Sequence, residues 1–87
     1  AIIMELSYEE YYSAARRNTL TLKQIPKPFR TTLLCMLCVN RDGLELAYVP
    51  EKVRRYALCK TAVSQNRDAL EFVPQELKPL ILKELGL

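Results

Sequence analysis

The 87-residue chain has no histidine and only two glycines, Gly43 and Gly86. Without imidazole there is no histidine metal ligand, no His-based triad and no histidine general base. Two isolated glycines cannot build the glycine-rich loop that cradles a phosphate. No apolar stretch approaches the ~18 residues that a membrane span requires; the longest, Leu33 to Val39, is seven. Neither sign of charge dominates, with 13 Lys and Arg against 10 Asp and Glu and a net charge of +3. Cysteine is scarce and odd in number: Cys35, Cys38 and Cys59 do not resemble a secreted disulfide framework and fit a reducing compartment. The start, Ala1-Ile2-Ile3-Met4, lacks the basic head and long apolar core of a signal peptide, and Met4 reads either as a natural start or as part of a fragment. The expected location is cytoplasmic: the bacterial cytoplasm, or a host cytoplasm if the protein is delivered there.

What is present is globular in proportion, 49% apolar and 26% charged, enough for one small domain over residues 1–87. A period of 24 residues organises it. Pro26, Pro50 and Pro74 are preceded by Ile25, Val49 and Val73, and four positions upstream of each proline stand Leu22, Leu46 and Leu70. Three positions downstream are Phe29, Val53 and Leu77, and eight downstream are Leu34, Leu58 and Leu82. Eight upstream are Asn18, Asp42 and Asn66, and eleven upstream are Ala15, Val39 and Val63. Columns of this kind at one period are the mark of stacked repeats.

Each unit reads as two helical pieces. Leu58, Cys59, Ala62 and Val63 follow one helical face, as do Leu34, Cys35, Cys38 and Val39, and Tyr11, Ala14 and Ala15. Asn18, Asp42 and Asn66 stand where each longer helix should stop, since Asn and Asp tolerate a left-handed turn. A second, short helix is expected over Leu44 to Tyr48 and Ala69 to Phe72; the alternation of Leu44, Leu46 and Tyr48 leaves a short strand over Leu44 to Val49 and Leu70 to Val73 as the alternative. Proline ends that piece and opens another turn, Glu51 to Arg54 and Gln75 to Lys78. Ser7 and Glu10 match a capping box, with Leu6 and Tyr11 as its hydrophobic staple, for a helix from Tyr8 to Arg17. The expected fold is all-α: three degenerate 24-residue helical repeats stacked as a small pseudo-solenoid.

The stretch Leu58 to Leu77 resembles a bacterial and protist tandem helical repeat family catalogued as a domain of unknown function, whose units read roughly L-C-x-x-A-V-x-x-N-x-x-A-L-x-[YF]-V-P-x-x-L. Leu34 to Val53 resembles it less closely, with Tyr48-Val49-Pro50-Glu51 in place. The first unit departs most, with Gln24 at the aromatic position. The resemblance implies an interaction module, of the kind found in tandem arrays that include delivered bacterial proteins, and carries no catalytic residue. A small bacterial or phage-encoded binder or a piece of an effector is the corresponding expectation.

Cys35-Met-Leu-Cys38 is formally C-x-x-C, yet it lies mid-helix among apolar residues, and Cys35 shares a column with Cys59, which points to packing rather than to metal or redox chemistry. The carboxylates form no repeated pair, and Ser13 and Ser64 have no visible base. No enzyme, metal or cofactor is expected. The basic residues carry more information. Tyr11 to Arg41 holds six Lys or Arg and no acid. One column holds Arg30, Arg54 and Lys78; another holds Arg17 and Arg41 and ends in Gln65. Stacking would turn each column into a stripe, and these five cations are the candidate partner-binding residues. The expected partner is a protein with an acidic surface; a nucleic-acid backbone is the alternative, and a solvated face covering apolar neighbours is the plain reading. A free stripe predicts that replacing Arg30, Arg54 and Lys78 changes stability by less than about 1 kcal/mol. A large loss would mark them as holding carbonyls or carboxylates between units.

Overall fold

A computed structural model describes residues 6–87; the segment around Met4 lies outside the described residues. Every regular element within them is helical, and none is a strand. Four α-helices, α1 (Tyr8–Arg16), α2 (Thr32–Arg41), α3 (Tyr56–Gln65) and α4 (Lys78–Leu85), alternate with 3-10 helices at Leu22–Gln24, Lys27–Phe29, Gly43–Tyr48, Glu51–Val53 and Arg67–Phe72. The short-strand alternative is therefore overturned: both of its segments wind as 3-10 helices. Neighbouring α-helices pack in chain order, and the 3-10 helices Leu22–Gln24, Gly43–Tyr48 and Arg67–Phe72 pack in the same order beside them. The result is two layers drawn out along one axis, 46 × 22 × 20 Å.

Local chemistry explains the elements. Ser7 Oγ accepts from the Glu10 amide at 3.2 Å while Glu10 Oε1 accepts from the Ser7 amide at 2.9 Å, so the capping box forms as expected. The Ser7 amide, followed by the Ser7 hydroxyl, holds the Glu10 carboxyl below the usual carboxylate range. α1 stops at Asn18, which takes the left-handed φ of 60°, and the Thr19 amide reaches back to the Ala14 carbonyl at 2.9 Å. Asp42 and Asn66 behave otherwise. Their backbones are extended, with φ of −142° and −151°, and their side chains accept from the amides of Leu44 and Asp68. The next helix starts at once at both places, so the short polar side chain caps its beginning instead of turning the chain.

Pro26 and Pro50 occupy matching places, each ahead of a 3-10 helix, and Pro74 shares one of their hydrogen bonds. Pro26 and Pro50 have φ/ψ of −57°/142° and −55°/142°. Amides three residues on, Phe29, Val53 and Leu77, donate to the carbonyls of Pro26, Pro50 and Pro74 at 2.9, 2.8 and 3.0 Å. The expected apolar faces are buried: Leu34, Cys35, Cys38 and Val39 on α2, Leu58, Cys59, Ala62 and Val63 on α3, and Tyr11, Ala14 and Ala15 on α1.

α4 departs from the column. Ile81 is buried where Leu82 was expected, and Leu82 is half-buried. The cause lies at Lys78, which is already helical, so α4 begins ahead of the register kept by α2 and α3 and its inward face moves by one residue. One residue is about 100° of helical rotation.

Candidate functional site

The basic columns resolve into two different roles. Arg30 and Arg54 each sit at the centre of a tight turn, with φ/ψ of −83°/71° and −76°/68°. The amide after each donates to the carbonyl before it, Thr31 to Phe29 at 2.9 Å and Arg55 to Val53 at 2.8 Å, which is an inverse γ-turn. This turn aims the side chain across the 3-10 layer. Arg30 Nε donates to the Ile25 carbonyl at 2.7 Å, and its terminal nitrogens donate to Tyr48 at 2.9 Å and Lys23 at 3.5 Å. Arg54 makes the same set one period later: Nε to Val49 at 2.9 Å, the terminal nitrogens to Phe72 at 3.0 Å and Ala47 at 3.2 Å. A planar fork fixed to three carbonyls is what guanidinium supplies and ammonium cannot. The expectation of a free, solvated stripe is corrected here: both guanidinium groups tie one proline-centred stretch to the next.

Lys78 does not share that place. It lies in the first turn of α4, half-buried, and makes no γ-turn. Arg41 is another tie. Its terminal nitrogens donate to the carbonyls of Ala15 and Arg16 at the end of α1. Gln65, next in that column, does the same for α2: Nε2 donates to the Arg41 carbonyl at 2.9 Å, and Oε1 accepts from the Gly43 amide at 2.6 Å. Arg17, at the C-cap of α1, is exposed. Of the five cations singled out from sequence, then, three hold backbone carbonyls, and Arg17 and Lys78 lie apart from them.

Sequence reasoning missed Glu45. Its Oε1 accepts from the buried Leu22 amide at 2.6 Å and so links two of the 3-10 helices. Burial pushes its carboxyl above the usual range, against the Leu22 amide, which pulls it down; Asp42 pushes it further up and Arg41 pulls it down. A raised folded pKa means that the folded state holds the proton more tightly, so between the ordinary and the raised value stability falls as pH rises. Glu45→Gln keeps the acceptor and removes the charge, so its urea midpoint should be at least that of the parent at neutral pH, with a flatter dependence over the mildly acidic range. Glu45→Ala leaves the Leu22 amide unpaired and should cost about 1–3 kcal/mol. A Gln variant as unstable as the Ala variant would show that the charge itself is needed.

The thiols face the core. Cys35, Cys38 and Cys59 are free and buried. Burial raises Cys35 to about 12, with Cys38 adding to the rise, and raises Cys38 and Cys59 to about 11. Since the thiolate is the reactive form, native labelling with a maleimide or disulfide reagent near pH 8 should be at least about 100-fold slower than in denaturant. Equal rates would contradict the packing of these side chains. Among the described residues no three His, Cys, Asp or Glu side chains are placed to hold a metal ion.

Two further cations, Lys23 and Lys27, line depressions in the 3-10 layer. A depression of about 440 Å3 is lined by Lys27, Arg30, Tyr48, Pro50 and Arg54, with Glu51 as its acid. A second of the same volume, in which Lys23 stands with Asp42 and Glu45 around Leu44 and Phe72, shares Ala47 and Tyr48 with the first. Among the described residues the ion pair formed is Lys60–Glu84, at 3.1 Å on the far layer, so Lys23 and Lys27 are exposed without a carboxylate partner there.

These observations define an all-helical chain with a period of 24 residues in its hydrogen bonds and one basic depression in its 3-10 layer. Set against family models, curated proteins and solved structures, the chain matches none. Among the described residues no helix is long and apolar enough to cross a membrane.

Proposed function

We propose that this protein is a non-catalytic interaction module: three degenerate 24-residue helical units stacked as a pseudo-solenoid, whose 3-10 layer meets an acidic surface on a protein partner. One observation carries the reading. Lys27, Arg30 and Arg54 line one depression, two of them on guanidinium groups that are already immobilised. Each of those groups has five N–H donors and gives three to carbonyls, so two on each are left for a ligand. Side chains fixed before binding lose little freedom on binding. The resemblance of the repeat columns to an interaction module agrees with this, as does the absence of histidine. Nucleic acid is the competing ligand, and the same cations would serve it.

The test is capture from lysate of the source organism with immobilised protein, with and without nuclease, by the parent and by the double variant Lys23→Glu/Lys27→Glu. The expected result is a protein retained by the parent through nuclease treatment and lost by the variant. Retention of nucleic acid, with every captured protein lost to nuclease, would replace this reading with the competing one.

A further inference from the structure

Resting on the reading that the 3-10 layer binds protein, we infer that its ligand is a short peptide segment in which an acidic side chain lies beside an aromatic or aliphatic anchor, rather than a broad acidic surface. The two depressions differ in chemistry and share a wall. One is basic, through Lys27, Arg30 and Arg54. The other is more apolar: Leu44 is 40% exposed, Tyr48 is 39% exposed, and the half-buried Phe72 closes one side. Leu33, Leu80 and Leu87 are also exposed but line neither depression, whereas Leu44 and Tyr48 stand together in one concavity. Tyr48 and the small Ala47 form the common wall, so a carboxylate held at the basic side places the neighbouring part of the same segment against Leu44 and Phe72.

Size argues for the same occupant. Each depression, about 440 Å3 and open to solvent, has room to seat a side chain of a peptide. A flat acidic surface could meet Lys23 and Lys27 but could not enter either depression. Charge complementarity places the carboxylate in the first depression, where three cations outnumber Glu51; the second, with Lys23 beside Asp42 and Glu45, has no net attraction for an anion and takes the uncharged anchor. An aromatic or aliphatic anchor next to a charged contact is also the composition in which binding energy concentrates at protein interfaces. A nucleic-acid strand repeats its charge at every residue, so past the first depression its next phosphates would meet Asp42 and Glu45, where a peptide can present an uncharged side chain to Leu44.

Fluorescence anisotropy tests this with three labelled probes: a short peptide carrying a glutamate pair and a phenylalanine, the same peptide with serine in place of the phenylalanine, and a single-stranded oligonucleotide of similar length. The expected result is that the phenylalanine peptide binds at least about tenfold more tightly than its serine counterpart, and that both exceed the oligonucleotide. Tyr48→Ser should abolish the difference between the peptides, whereas Lys27→Glu should weaken both by a similar factor. Thermal melts of both variants should stay at the parent value, because Tyr48 contributes to the fold through its backbone carbonyl and Lys27 has no carboxylate partner among the described residues. Equal binding of the two peptides overturns the inference while leaving an acidic partner in place. Preference for the oligonucleotide overturns the partner as well, and failure of all three probes to bind overturns the peptide site.

Discussion

Arg54→Ala should lower the stability of this protein by about 2–4 kcal/mol, and Arg54→Lys should recover less than half of that. The guanidinium reaches three carbonyls, at Val49, Phe72 and Ala47. Hydrogen bonds from a charged donor contribute ~1.5–3 kcal/mol each in favourable settings. The full sum is not expected, because Arg54 is half-buried and water can reach some of the carbonyls once the side chain is gone. Val49 is 2% exposed, so its carbonyl is the one least able to recover a partner. A domain of this length has only about 4–13 kcal/mol in total, so the loss should lower the melting temperature by more than about 10 °C. Lysine retains the charge but offers one tetrahedral nitrogen on a flexible stem, which cannot span three acceptors. Full rescue by lysine would mean that charge alone matters there. Arg30→Ala should behave like Arg54→Ala, since the same three bonds recur in its surroundings.

Gly43→Ala should cost about 3 kcal/mol or more, and it runs against the usual sign. Gly→Ala at a position with ordinary backbone angles normally stabilises by ~0.4–1 kcal/mol, through the unfolded chain. Gly43 has no positive φ, so conformation is not the obstacle. Space is: a Cβ there would lie 2.1 Å from the Ala62 carbonyl oxygen and 3.0 Å from its carbon, with the Asn66 amide at 3.2 Å. All three are backbone atoms at the end of α3, so no side chain can swing aside. The 3-10 helix Gly43–Tyr48 would have to lift off α3, which strains the bond from the Gly43 amide to Gln65 Oε1 and the packing of Leu46. Arg67 stands one period later and is exposed, so Arg67→Ala should change stability by less than about 0.5 kcal/mol. A Gly43→Ala protein that melts with the parent would show that the two layers are further apart than described.

The core was legible in the sequence because burial writes itself as spacing. The faces of α1, α2 and α3 could be drawn from apolar periodicity alone, and the three prolines marked the turns, because proline's missing amide limits where it can sit. The ties between units were not legible. Arg30 and Arg54 form a visible column, but their acceptors are backbone carbonyls, which every residue has, so no partner column exists to be read. Glu45 is hidden for the same reason, since its partner is the amide of Leu22. Gln24, which breaks the aromatic column of Tyr48 and Phe72, turns out to accept from the Thr21 amide at 2.9 Å and caps its own turn. Asp42 and Asn66 misled because one residue type serves both to end a helix and to begin one. Lys78 misled because a shared column assumes a shared backbone, and α4 breaks that register.

The basic residues differ in what they do for the fold: Arg30 and Arg54 hold backbone carbonyls, whereas the side chains of Lys27 and Lys78 hold none among the described residues. A urea titration of Arg30→Ala, Lys27→Ala and Lys78→Ala, followed by far-ultraviolet circular dichroism, tests this difference most directly. The predicted result is a large fall in midpoint for Arg30→Ala alone, with Lys27→Ala and Lys78→Ala within about 0.5 kcal/mol of the parent. Three coincident midpoints would contradict it, since the column would then be the uniform solvated stripe that the carbonyl bonds of Arg30 and Arg54 rule out.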